Sequence, residues 1–123
     1  MNKKILIVED DTYLRDLYEE VLKEDGFSVK IAVDGEEGLV TALEGGHDLI
    51  LLDIMMPKLD GLGFLKSLKK KNALSKNGPI ILLTNLAHDP VIKEGLDLGA
   101  KDFTVKSEIT PDDLVKKVKD YLK

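Results

Sequence analysis

The sequence predicts an α/β domain built on a doubly wound, five-stranded parallel sheet. Five short apolar runs recur along the chain: Ile5–Val8, Val29–Ala32, Leu49–Leu52, Ile80–Leu83 and Phe103–Val105. A segment with helical spacing of apolar residues follows each one, so the order is strand then helix, five times over. The first, third and fourth runs are almost wholly aliphatic rather than alternating, as suits strands covered on both faces. A closed barrel needs eight such units, so five leave an open sheet with right-handed crossovers and helices on both faces.

Each element follows from local chemistry. The second and fifth strands are short and mixed, as edge strands are. The first helix carries Leu14, Leu17, Tyr18, Val21 and Leu22 on one stripe and ends at Gly26, a residue that tolerates a left-handed cap. Leu39, Val40, Ala42 and Leu43 mark a second helix between Gly35 and the Gly45-Gly46 pair. Phe64, Leu65 and Leu68 mark a third that starts near Gly61. Val91, Ile92, Leu96 and Leu98 mark a fourth, opened by Asp89-Pro90 as cap and first residue. The fifth opens at Thr110-Pro111-Asp112-Asp113, a hydroxyl cap, a proline with preset φ and two acids at the positive helix end. Leu114, Val115, Val118 and Leu122 are its buried stripe.

The chain of 123 residues is long enough for one core, so a single domain over 1–123 is expected, with no output domain. It has no cysteine, which excludes disulfides, thiol catalysis and thiolate-held metals. No apolar run approaches the roughly 20 residues that span a bilayer. The start, Met1-Asn2-Lys3-Lys4, enters the first strand with no signal-peptide stretch, so a cytoplasmic location is expected and no membrane association. The formal charge is −5, which weighs against general nucleic-acid binding. That total hides an asymmetry. Residues 1–60 hold 6 basic and 15 acidic side chains, 6 − 15 = −9; residues 61–123 hold 12 and 8, 12 − 8 = +4.

Ligands of open α/β sheets sit beyond the carboxyl ends of the strands. There the sequence offers Glu9-Asp10-Asp11, Asp53, Thr84 and Lys106, while the second strand ends in the less reactive Ala32-Val33-Asp34. Carboxylates without histidine or cysteine nearby are hard ligands and favour Mg²⁺ or Mn²⁺ over zinc. Mg²⁺ commonly bridges carboxylates to a phosphate, an ammonium neutralises a second phosphoryl oxygen, and a hydroxyl bonds a third. A carboxylate beside the metal can itself be the nucleophile. Alone, Asp11 or Thr12 reads as a helix cap, Lys106 as a surface lysine and Thr84 as a turn residue. Their joint placement on four strand ends is what points to a site.

At these residues the chain resembles the receiver domain of two-component response regulators, close in size to the stand-alone chemotaxis type. The resemblance runs from Lys4 to Leu122. It rests on Ile5-Leu6-Ile7-Val8-Glu9-Asp10-Asp11, on Asp53-Ile54-Met55-Met56-Pro57 with Asp60-Gly61, on Thr84, and on Gly99-Ala100-Lys101-Asp102-Phe103 leading to Lys106. It implies the flavodoxin-like strand order 2-1-3-4-5. It further implies that Asp53 is the phospho-acceptor, served by a histidine kinase or a phosphotransfer protein. Glu9, Asp10 and Asp53 would hold Mg²⁺, Glu9 through water, with the Met55 carbonyl as a further ligand. Thr84 and Lys106 would contact the phosphoryl oxygens, and the Thr84–Phe103 pair would report phosphorylation to the surface of the fourth helix, fifth strand and fifth helix. Asp60-Gly61 would open the third helix. The implied role is a signalling phospho-acceptor that assists its own phosphorylation and dephosphorylation, passing the signal to a downstream protein as a monomer or a weak phosphorylation-dependent dimer.

The chain departs from the family pattern in two places. Ser107 follows Lys106 where the family usually has proline, so either a trans bond with Lys106 slightly re-aimed or a strained cis bond is expected. Asn85 follows Thr84 where a small residue is usual, with an amide long enough to meet the phosphoryl site or obstruct Thr84. Met55 and Leu86, which flank the family's water path, are apolar, and a persistent phosphoryl group is expected. Lys66, Lys69, Lys70, Lys71 and Lys76 read as a solvated face, and His47 and His88 as loop residues without metal-ligand partners. Arg15 is the sole arginine. Receivers of winged-helix transcription factors often pair through arginines on the fourth and fifth helices, and the lysines found there form looser pairs, which counts against that dimer.

Three other functions compete. A small Mg²⁺-dependent phosphohydrolase would place a second Asp two residues after its nucleophile, where this chain has Met55. A receiver-like scaffold that is never phosphorylated would not need the full set Glu9, Asp10, Asp53, Thr84 and Lys106. A nucleotide-binding module would need a glycine-rich loop after the first strand, which is absent.

Overall fold

A computed structural model describes residues 2–85, 87 and 90–123. Five strands, β1 (Lys4–Val8), β2 (Ser28–Ala32), β3 (Leu49–Asp53), β4 (Ile80–Thr84) and β5 (Asp102–Val105), form one parallel sheet. Their order is β2-β1-β3-β4-β5, as the resemblance implied, with the two mixed runs at the edges. The helices α1 (Thr12–Glu24), α2 (Gly35–Glu44), α3 (Gly61–Lys70), α4 (Pro90–Asp97) and α5 (Pro111–Tyr121) alternate with the strands.

Alternate strand residues feed two separate cores. Leu6, Val8, Ile50, Leu52, Ile80 and Leu82 pack on one face with Phe64, Leu65, Leu68 and Ile92 from α3 and α4. Ile5, Ile7, Leu49, Leu51, Ile81 and Leu83 pack on the other with Tyr18 and Leu22 of α1 and Leu114 and Val118 of α5. Every residue of β3 and β4 is buried, which is why those runs are continuous rather than alternating. Each buried Leu or Ile contributes about 1.5–3 kcal/mol by leaving water.

Asp11 and Thr110 cap their helices as expected, and Asp60, in the turn the resemblance placed before α3, caps that helix. Asp11 Oδ1 accepts from Leu14 N–H at 3.1 Å, Asp60 Oδ1 from Gly63 N–H at 2.8 Å and Thr110 Oγ1 from Asp113 N–H at 3.1 Å. Gly26, just past α1, has φ +97°, the left-handed conformation that favours glycine. The start of α4 is seen at Pro90; its expected cap Asp89 lies outside the described residues, as do Leu86 and His88. The described peptides are all trans, so the Lys106–Ser107 bond is trans rather than cis. A 3₁₀ turn, Lys106–Glu108, follows β5 directly.

His47 is a loop residue as expected, yet it is buried. Its Nδ1 lies 2.7 Å from Asn77 Oδ1, while Asn77 Nδ2 donates to the Ala42 carbonyl at 2.9 Å. The pair ties the end of α2 to the entry of β4, at the opposite end of the sheet from the carboxylates. No helix among the described residues is long and apolar enough to cross a membrane.

Candidate functional site

The parallel sheet brings the ends of β1, β3, β4 and β5 to one rim, and the polar residues the sequence singled out stand there. Glu9 follows β1, Asp53 ends β3, Thr84 ends β4 and Lys106 follows β5. Glu9 is fully buried, Asp53 and Thr84 nearly so, and Asp10 is exposed. One carboxylate oxygen from each of Glu9, Asp10 and Asp53 lies within 4.8 Å of the other two. An all-oxygen donor set of this size suits a hard divalent cation such as Mg²⁺.

Lys106 completes the cluster. Its Nζ lies 2.7 Å from Glu9 Oε1 and 3.1 Å from Asp53 Oδ1. The Met55 N–H also donates to Asp53 Oδ1, at 3.2 Å, and the Asp11 N–H donates to Glu9 Oε2 at 3.1 Å. The Met55 side chain is 67 % exposed, so its reach into the pocket is through its backbone. Burial, and then the Glu9 carboxylate beside it, push the Asp53 carboxyl up to about 8 despite Lys106. Burial pulls the Lys106 ammonium down, but Glu9 and Asp53 outweigh it and hold it above the usual lysine range. The pocket therefore holds more negative charge than one ammonium balances.

Gly61 sets how closely α3 approaches Asp53. A Cβ there would stand 2.9 Å from the Asp53 carbonyl oxygen and 2.9 Å from Ile54 Cα, both backbone atoms. Its N–H donates to the Ile54 carbonyl at 2.8 Å, locking the β3 exit to the helix start.

Phe103 pairs with Leu82 in the ladder and Thr84 pairs with Val105, so Phe103 and Thr84 are two register steps apart on the same side of the sheet. Phe103 is half-buried against the α3–α4 core. Asn85 is exposed.

Two residues at the site went unassigned in the sequence. Arg15 donates from Nη1 to the carbonyls of both Glu9, at 2.9 Å, and Asp10, at 3.3 Å. Helical side chains lean toward their N-terminus, so an arginine one turn into α1 reaches back over the acidic loop; its spacing from Asp10 was the available signal. Tyr18, expected only as core, is buried beneath the pocket, where burial and then the Glu9 charge raise its hydroxyl above the usual tyrosine range.

Fold and pocket together define a class: doubly wound α/β domains with a lysine-countered carboxylate cluster at the strand ends. The particular family is shown by comparison. Residues 5–119 match the model of the response regulator receiver domain, and the chain belongs to that family. It is 43 % identical over 102 residues to the uncharacterised transcriptional regulatory protein YkoG of Bacillus subtilis, covering 83 % of this chain and 43 % of that protein. The chemotaxis response regulator CheY4 of Vibrio cholerae superposes with a TM-score of 0.88 at 29 % identity, covering 98 % of this chain and 99 % of that one. The Francisella response regulator 1452 receiver domain gives a TM-score of 0.86 at 32 % identity, covering 98 % and 96 %. The chain spans under half the length of the curated relatives it matches, 42–48 %.

Proposed function

We propose that this chain is the phospho-acceptor of a two-component relay, with Asp53 receiving the phosphoryl group of a phosphohistidine on a histidine kinase or phosphotransfer protein. The convergence of Glu9, Asp10, Asp53 and Lys106 on one rim carries this reading. Met55 N–H and Lys106 both hold Asp53 Oδ1, which leaves Oδ2 for attack. Oδ2 bonds to phosphorus, the P–N bond breaks, and its electron pair stays on the imidazole nitrogen. The product is an acyl phosphate on Asp53.

Glu9, Asp10 and Asp53 would hold Mg²⁺, or Mn²⁺, with the Met55 carbonyl as a further ligand. The cation would neutralise charge on the phosphoryl oxygens. Lys106 and Thr84 meet the remaining oxygens. Phosphorylation adds roughly 1.5–2 negative charges and three acceptor oxygens, so Thr84 is drawn toward the site. Phe103, on the same side of the sheet, follows, and the face of α4, β5 and α5 changes for a downstream protein.

The chain is a signalling module in this reading rather than an enzyme with a released substrate, and works in the cytoplasm. The relatives' names as transcriptional regulators confine the argument against nucleic-acid contact to the acidic residues 1–123 themselves. A phosphohydrolase is disfavoured by the apolar, exposed Met55 in the position of its general acid.

Incubation with Mg²⁺ and acetyl phosphate tests the reading. An acid-stable, base-labile phosphoryl adduct is expected on the wild type and not on Asp53→Ala. A wild type that takes up none, or a variant that takes up as much, overturns the assignment.

A further inference from the structure

Two successive carboxylates at a strand end repel each other, and a loop free to turn would splay them apart. Here the loop is pinned. Glu9 N–H donates to the Ala32 carbonyl at 3.2 Å, and the carbonyls of Glu9 and Asp10 are both taken by Arg15 Nη1, at 2.9 and 3.3 Å. Arg15 Nη2 reaches Thr12 Oγ1 at 3.5 Å, and Nε is buried, so the guanidinium is lodged between the loop and the first turn of α1.

We propose that Arg15 is the positioning residue of the divalent-cation site, fixing the Glu9–Asp10 backbone so that both carboxylates meet Asp53. This rests on the reading of the acidic pocket as that site. Arg15 adds positive charge behind the cluster and takes up none of the carboxylate oxygens. Lys106 does the opposite: its ammonium lies on Glu9 Oε1 and Asp53 Oδ1 and so competes with an incoming cation. Arg15 is the fixed counter-charge, its Nη1 shared by two carbonyls while Nη2 turns to Thr12; Lys106 is the displaceable one.

The test is titration with MgCl₂ alone, read by the thermal midpoint and by amide NMR shifts of Glu9–Asp11, on wild type, Arg15→Ala, Arg15→Lys and Asp10→Asn. Removing the support behind metal ligands typically weakens affinity 10–100-fold, and Arg15→Ala is expected to raise the Mg²⁺ Kd about tenfold. Arg15→Lys, whose single nitrogen can reach the carbonyls but not Thr12 as well, is expected between Arg15→Ala and wild type. If Arg15→Ala does not fold, Arg15→Lys decides alone, and a wild-type Kd counts against the proposal. If Arg15→Ala loses stability in EDTA but keeps the wild-type Kd, Arg15 is a structural brace and the proposal is wrong. A wild type that gains nothing from Mg²⁺, or responds just as Asp10→Asn does, overturns the cation site itself and this inference with it.

Discussion

Lys106 Nζ lies 2.7 Å from Glu9 Oε1, and the same ammonium reaches Asp53 Oδ1 at 3.1 Å. One lysine thus bridges the two most buried carboxylates of the pocket and stands where a divalent cation would compete with it.

Lys106→Met should therefore have two opposite effects. Without metal, the loss of the bridge should cost about 1.5–3 kcal/mol at pH 7, limited because Asp53, raised to about 8, already holds a proton at that pH. With the competitor gone, Mg²⁺ should bind more tightly. Urea unfolding in EDTA and in MgCl₂ measures both; weaker Mg²⁺ binding in Lys106→Met would contradict the bridging role.

The raised Asp53 carboxyl makes metal-free stability depend on pH. The folded protein binds this proton up to about 8, whereas the unfolded chain releases it near 3.8. Between those values the folded state holds more protons, so stability is fully present below pH 4 and falls as pH rises toward 8, by at most about 1.4 kcal/mol per unit from this group. Asp53→Asn should remove that slope and be the more stable protein at pH 8. Urea midpoints at pH 5–8 in EDTA compare the two, and parallel curves would refute the assignment.

Gly61→Ala should destabilise by about 1–3 kcal/mol, because both atoms its methyl meets at 2.9 Å are backbone and cannot swing away. Relief requires α3 to back off from β3, which re-aims Asp53. Acetyl phosphate labelling should slow as well as stability fall; lost stability with normal labelling would separate α3 from the site.

Tyr121 Oη donates to Asp102 Oδ2 at 2.7 Å, and Lys117 lies 3.3 Å from the same oxygen while donating to the Phe103 carbonyl at 2.7 Å. Burial raises the Asp102 carboxyl, but the Tyr121 hydroxyl, the Phe103 N–H and Lys117 together outweigh it and hold it below the usual range. The stability this group gives is present above its unfolded value of 3.8 and lost as pH falls through its lower folded one. Tyr121→Phe should cost under about 1 kcal/mol at neutral pH, since the group is partly exposed, and less in acid. Denaturant curves at pH 7 and pH 3 check this.

The apolar Met55 side chain offers no group to orient an attacking water at the acyl phosphate. Phosphorylated wild type should lose its label more slowly than Met55→Asn, by up to about tenfold, well below the effect of a full general base. Decay of the adduct after donor removal measures it, and equal lifetimes would refute a role for Met55 in setting the lifetime.

The sequence by itself determined the layering. Continuous aliphatic runs can only be covered on both faces, and helical stripes between them must lie on those faces, so the parallel sheet and the convergence of Glu9, Asp10, Asp53, Thr84 and Lys106 were legible from pattern alone. Even the caps at Asp11 and Thr110 were local chemistry, while the Asp60 turn came through the resemblance. The strand order came only through family resemblance, since alternation does not say which strands are neighbours. What tertiary structure decided was contact across the chain. Lys106 could have been a surface lysine, and only the β4–β5 register brings its ammonium onto Glu9 and Asp53. Tyr18 read as ordinary core because periodicity reports burial and not what lies above the buried ring. Arg15 was noted only as the sole arginine, because a side chain's grip on backbone carbonyls leaves no trace in a pattern of residue types. Such contacts depend on how a loop folds back over a helix start, and that path is fixed by packing rather than by local propensity.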